Sequence, residues 1–235
     1  MRTRAASGLL CACLLFTFRQ AAAADDSSPV ALRARHANFE REIPSRDARH
    51  IADWVVHAGD NNGGAGHPSG TRSLPFAILD KKEAKVFVFD AEGQLLGASA
   101  ALLGQAPGDD AIPGIGDRPL SRIRPEEKTT PAGRFIASLG ESTRGEDVLW
   151  VDYAGAVSMH RVITGNLKER RAHRLATATP LDNRITYGCI NIPKKFYEDV
   201  VRRVFAATYG IVYVLPEIRP LREVFKSYDA GENAR

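Results

Sequence analysis

The sequence predicts a mainly β fold of the α+β class, with one helix near the N-terminus and another near the C-terminus. Apolar residues recur at helical spacing from Ala48 to Ala58, short β-type runs separated by charged or glycine-containing turns fill residues 76 to 163, and helical spacing returns after Pro193. The composition suits a globular chain of this kind. With 235 residues, 44% hydrophobic and 26% charged, it excludes a disordered polyelectrolyte and a collagen-like fibre.

Each element has a local reason. Ser45, after Pro44, is a good N-cap, and Ala48, Ile51, Val55 and Ala58 share a helix face with Trp54 beside them until Gly59 stops the run. Residues 60–73, with Asn61-Asn62-Gly63-Gly64, Gly66, Pro68 and Gly70, read as a loop. Strands are expected at 76–79, 84–89 and 94–101, the last two joined through Asp90-Ala91-Glu92-Gly93. Two more, 148–153 and 156–163, flank Ala154-Gly155. Phe196, Val200, Val201, Val204 and Phe205 mark the second helix, which ends near Gly210, and 211–215 is a closing strand before Pro216.

The charge and the cysteines depend on how the first residues are read. Arg2, Arg4 and Arg19 with no acid, an apolar run over 5–18 and Ala21-Ala22-Ala23-Ala24 before Asp25 have the form of a secretory signal peptide cleaved after Ala24. Taking 24 residues and three positive charges from 235 and +4 leaves 211 residues at +1. That balance gives no reason to expect a nucleic-acid partner, and no membrane span is expected after cleavage. Cys11 and Cys13 leave with the signal, so Cys189 is the one cysteine of the mature chain. In an exported protein such a thiol is buried, paired between chains or kept for its reactivity.

Three stretches carry candidate chemistry. Thr130-Pro131-Ala132-Gly133-Arg134-Phe135 is a turn feeding an apolar strand. Ser158-Met159-His160-Arg161 is extended, and Ile185-Thr186-Tyr187-Gly188-Cys189-Ile190-Asn191-Ile192-Pro193 surrounds the lone thiol. A thiol attacks an amide as thiolate, so Cys189 needs a base. His160 is the candidate, with Met159 turned to the opposite face of its strand. The backbone amides of Tyr187, Gly188 and Cys189 are candidate oxyanion donors, and Gly188 permits the tight approach. Thr186, Asn191 and Arg161 are supporting candidates. His173 is the rival base, disfavoured by its cationic neighbours. His57, Asp60 and His67 have spacing too irregular for a metal site, and neither a metal nor a cofactor is expected.

These stretches resemble the L,D-transpeptidase catalytic domain family of bacterial cell-wall enzymes, which has a TP-x-G-x-F turn and strand, an upstream His, and a Ser/Thr-His-Gly-Cys-apolar-Asn/Arg signature. The resemblance covers residues 75–216. It implies a β-sandwich with a helix after the cysteine, acting in the periplasm or cell envelope on peptidoglycan stem peptides. Cys189 would attack a stem tetrapeptide, release terminal D-alanine and hold a thioester that an amine acceptor resolves, a wall-linked protein being an alternative acceptor. Water as acceptor would make it a carboxypeptidase or endopeptidase, and an impaired domain would be a peptidoglycan-binding module. The chain departs from the pattern twice. Tyr187 replaces the usual His, and because tyrosine, with an ordinary pKa of about 10, is a poor base, it is given no proton-transfer role. In addition, 25 residues separate His160 from Thr186; the basic insert 165–185 reads as a solvated loop, or else as a lid for substrate carboxylates. The expected organisation is a signal peptide at 1–24, a lead-in, helix and Gly-rich loop at 25–74, the catalytic domain at 75–216 and a C-terminal tail at 217–235.

Overall fold

Helix α1 (Arg46–Ala58) begins where Ser45 accepts the Ala48 amide at 3.1 Å and ends at Gly59, whose φ of 65° lies in the left-handed region. The structure is a computed structural model that describes residues 36–61 and 73–225. The expected signal peptide and most of the Gly-rich loop, with His67, lie outside those residues. Ala48, Ile51, Ala52, Val55 and Val56 are buried, and they join Phe76, Ile78, Phe87, Phe89, Ile211 and Tyr213 in one apolar cluster. Burying a Val or Ile side chain stabilises by roughly 1.5–3 kcal/mol, so this stripe suffices to hold the helix on the sheet.

Among the described residues ten strands follow α1: β1 (Phe76–Asp80), β2 (Lys85–Phe89), β3 (Leu95–Ala100), β4 (Leu103–Gly104), β5 (Gly133–Glu141), β6 (Asp147–Asp152), β7 (Val157–Arg161), β8 (Arg184–Thr186), β9 (Ile190–Ile192) and β10 (Gly210–Val214). Eight form one sheet in the order β3-β2-β1-β10-β5-β6-β7-β9, and β4 pairs with β8. The fold is thus mixed α+β and mostly strand. The sandwich is built from a single continuous sheet, because β5 serves both halves. Its residues 133–137 pair with β10 and its residues 138–141 pair with β6. One face of β1, β2 and β10 contributes Leu79, Val88 and Val212 to the central cluster, while β6, β7 and β9 contribute Leu149, Met159 and Ile190.

Helix α2 (Arg171–Ala176) lies in the insert. Short α3 (Lys194–Phe196) continues through a π-helical turn over Tyr197–Val201 into α4 (Arg202–Ala206), and α5 (Leu221–Val224) is the last element. Tyr197, Val201 and Phe205 close the central core. Residues 217–225 are packed although the sequence reads as a tail: Leu221 and Phe225 are buried in the α1 cluster. The strands β4, β8 and β9 were not expected. At two or three residues each, they are too short for an alternating pattern to register.

The pairing that matters for the site is β7 with β9, which run parallel with His160 opposite Asn191. Ile190 and Ile192 point into the core, so alternation puts Cys189 and Asn191 on the other face. Met159 is likewise in the core and His160 is on that same face. Two periodicities meeting in one register therefore bring His160 beside Cys189 and Asn191, the nearer of which is 29 residues further along the chain.

Candidate active site

Cys189 is half-buried and lines a cleft of about 340 Å³ with His160, Thr186, Tyr187, Asn191, Arg171 and Arg144. Its Sγ lies 3.7 Å from Ser158 Oγ and 3.7 Å from the carbonyl oxygen of Ala156, to which the thiol donates. Burial pushes the thiol pKa up, but hydrogen bonding and charge from His160, with help from Ser158, outweigh it and bring the pKa below the ordinary thiol value.

The loop that carries Cys189 is tied at three points. The Thr186 hydroxyl accepts the Gly188 amide at 3.1 Å and donates to the Cys189 carbonyl at 2.6 Å, which uses its single proton and one lone pair. From the other side, Thr130 Oγ1 donates to the Gly188 carbonyl at 2.8 Å while accepting the Gly104 amide at 2.9 Å. A trans peptide has its C=O and N–H on opposite sides, so anchoring the Gly188 carbonyl on Thr130 turns the Cys189 N–H away from it. Of the three expected oxyanion donors, Gly188 is therefore withdrawn: its amide is already bound by Thr186. Tyr187 and Cys189 are left as candidates.

Gly188 has a second constraint. Its φ is 129°, and a Cβ there would stand 2.7 Å from the carbonyl oxygen of Thr129. Gly188→Ala is expected to cost about 2 kcal/mol or more, by strain and by collision with backbone, and to slow alkylation of Cys189. Urea denaturation checks the first effect, and an unchanged midpoint would show that the loop yields freely.

The other predicted residues are placed as follows. Arg161 faces away from the cleft: its guanidinium bonds Glu198 at 2.6 Å and Asp147 at 2.9 Å and lies 4.2 Å over the Tyr197 ring. Only its carbonyl serves the site, 2.8 Å from His160 Nδ1. Tyr187 is 41% exposed and its ring is covered by Lys128 Nζ at 3.9 Å, so it forms a cleft wall through a cation–π contact. His173 is exposed on α2 and does not line the cleft. Asp60 is bound to Arg134 at 2.8 Å and to the Tyr213 hydroxyl at 2.7 Å. Among the described residues no group of three His, Cys, Asp or Glu is arranged to hold a metal.

Two participants were missed by sequence reasoning. Thr130 was legible only as part of a turn, with no sign that its hydroxyl reaches residue 188. Arg171 lay hidden in an insert whose charges read as solvated; in fact its side chain is 14% exposed and bonds both Glu169 and Asn191. A short helical run there, Arg171 to Ala176, was the available signal.

No protein-family model matches the chain. No curated protein matches it either. Solved structures do. The chain is similar in part to L,D-transpeptidases. One is the carbamoyl enzyme of Ldtfm with avibactam, at 14% identity and a TM-score of 0.36, covering 64% of this chain and 51% of that one. Another is the LD transpeptidase LdtMt1 in complex with imipenem, at 16% and 0.34, covering 61% and 59%. A third is a cysteine-to-serine mutant of the Enterococcus faecium L,D-transpeptidase, at 14% and 0.35, covering 66% and 54%. The chain spans between half and three fifths of the length of the structures it matches. Overlap this loose assigns neither activity nor substrate to it.

Proposed function

We propose that this protein is an exported cysteine acyltransferase that acts on peptidoglycan stem tetrapeptides. The observation that carries the reading is the gathering of Cys189, His160 and Asn191 on one face of β7 and β9, lining a cleft, with the thiol pKa drawn down by the imidazole. The signature around Cys189 supports the substrate class by resemblance, and the basic, apolar, small-residue order of residues 1–24 supports export to the compartment that holds this polymer. No helix among the described residues is long and apolar enough to cross a membrane.

The reaction has two halves. In the first, the Cys189 proton passes to His160 and the sulfur attacks the amide carbon before the terminal D-alanine. The developing oxyanion meets the Cys189 and Tyr187 amides. The C–N bond then breaks, the D-alanine amine takes the proton from His160, and a thioester remains. In the second half, an acceptor amine loses its proton to His160, attacks the thioester and regenerates the thiol. Tyr187, its ring held by Lys128, shapes the cleft and transfers no proton.

Incubating the mature protein with purified disaccharide tetrapeptide is expected to give an acyl adduct on Cys189 by mass spectrometry, together with free D-alanine and cross-linked dimer. Tripeptide without dimer would move the assignment to hydrolysis. If no adduct forms and Cys189→Ala binds sacculi as well as the parent, the acyltransferase reading is wrong.

A further inference from the structure

The hydrogen bonds around His160 fix which of its nitrogens carries the proton. Nδ1 lies 2.8 Å from the Arg161 carbonyl oxygen, which only accepts, so Nδ1 is protonated. Nε2 lies 3.0 Å from the Asn191 amide nitrogen. Arg171 settles how that amide is turned. Its Nη1, which only donates, is 2.8 Å from Asn191 Oδ1, and its Nε is held by Glu169 at 2.5 Å. Asn191 therefore presents its NH2 to His160, and Nε2 accepts. Meanwhile the Cys189 proton is directed to the Ala156 carbonyl. The base has its lone pair filled, and the acid has another partner.

Ionisation from this arrangement is opposed by geometry. A proton arriving on Nε2 would face the Asn191 NH2, donor against donor, at a residue that is 1% exposed. Asn191 cannot turn to offer its oxygen while Arg171 holds that oxygen. Of the other charged groups near the imidazole, Arg161 is turned to Asp147 and Glu198 and Glu169 is engaged by Arg171, while Arg144, on the β5–β6 turn, lines the same cleft and Glu146 lines a neighbouring pocket with His160; neither bonds Nδ1 or Nε2.

We propose that Arg171 and Asn191 form a latch that restrains proton transfer from Cys189 to His160 until a carboxylate of the substrate draws Arg171 away. This deepens the proposed function and rests on it for the source of the carboxylate. Once Arg171 bonds the incoming anion, the Asn191 amide turns over. Its Oδ1 accepts from Nε2–H and its NH2 donates to the same anion. One proton moves from Sγ to Nε2, giving thiolate and imidazolium with no change in net charge. The insert that supplies Arg171 thus makes thiol activation depend on substrate.

Iodoacetamide alkylation of Cys189 across about pH 5 to 9, followed by mass spectrometry on the full chain, tests the latch without needing turnover. Arg171→Met is expected to raise the rate at neutral pH about fivefold and to move the midpoint down, and Asn191→Asp, whose carboxylate can only accept from Nε2–H, to raise it further. Glu169→Gln, which loosens Arg171 without touching the cleft amide, should act in the same direction with a smaller effect and serves as the second variant should Arg171→Met unfold. N-acetyl-D-alanine should accelerate alkylation of the parent and leave Arg171→Met unaffected. Profiles for Arg171→Met and Glu169→Gln that superpose on the parent, or fall below it, would overturn the latch. Indifference of the parent to N-acetyl-D-alanine would overturn its release by carboxylate. Faster alkylation in Arg171→Met together with no acyl adduct on the parent from tetrapeptide would leave the latch standing and remove the proposed function instead.

Discussion

Replacing His160 by Ala is expected to slow alkylation of Cys189 near pH 7 by about 10- to 100-fold. Burial alone raises the thiol pKa, and the imidazole supplies the largest opposing contribution by hydrogen bond and charge. Without it, burial wins and the thiolate fraction at neutral pH falls by about tenfold for each unit of pKa regained. The direction fixes the shape of the pH dependence. A pKa held low means thiolate present at lower pH, so the loss is greatest below the parent's midpoint and vanishes at high pH, where both proteins are ionised. The more basic thiolate is intrinsically the stronger nucleophile, which trims the difference somewhat. His173→Ala, on the exposed α2 helix away from the cleft, should behave as the parent does. Equal rates in all three proteins would remove His160 from its assigned role.

The contrast between His160 and His173 shows what a sequence of this kind makes legible. His160 stood on a strand whose alternation was readable, and Met159 beside it is fully buried in the central core. The Ser45 cap, the Gly59 stop and the apolar stripe between them were equally readable, because all of their determinants lie within one helix. What could not be read were contacts between remote segments. The bond from Thr130 to the Gly188 carbonyl spans 58 positions, and that from Arg171 to Asn191 crosses from an insert of irregular pattern to a three-residue strand. The turn containing Thr130 predicted its own shape and nothing of its reach. Arg161 shows the converse error: adjacency to His160 suggested a role in the cleft, whereas strand alternation sends its side chain to the opposite side, onto Glu198 and Asp147.

The largest stability effect is expected at Asp109, which no motif marked. Lys81, just past the end of β1, is fully buried, and its ammonium bonds the Gly108 carbonyl at 2.5 Å, the Thr130 carbonyl at 2.8 Å and Asp109 Oδ1 at 2.8 Å. Three donors are thus matched by three acceptors. Asp109 in turn accepts the amides of Glu217, Ile218 and Arg219 at 2.8, 2.9 and 2.6 Å, tying the chain after β10 to the same point. Burial raises the Asp109 pKa, but the Lys81 hydrogen bond and those amides outweigh it and bring the carboxyl down to about 2. Asp109→Ala removes the nearer counter-charge of Lys81, leaving Glu217 Oε1 at 3.4 Å, and strips the Glu217, Ile218 and Arg219 amides of their acceptor, and is expected to cost about 3–5 kcal/mol in urea denaturation. Lys81→Met combined with Asp109→Leu, which removes both charges, should cost less than Asp109→Ala alone. The pH dependence follows from the lowered pKa. The carboxylate contributes about 2 kcal/mol that is complete above pH 4 and lost as pH falls toward about 2, a loss that Asp109→Asn should not show. The consequence reaches the thiol, because Lys81 holds the carbonyl of the same Thr130 whose hydroxyl anchors Gly188. Asp109→Asn, which keeps an acceptor for Lys81, is therefore expected to retain Cys189 alkylation at neutral pH, while Asp109→Ala loosens the loop and loses reactivity together with stability. A destabilised Asp109→Ala protein that alkylates at the parent's rate would separate the buried charge pair from the thiol loop and confine its role to the fold.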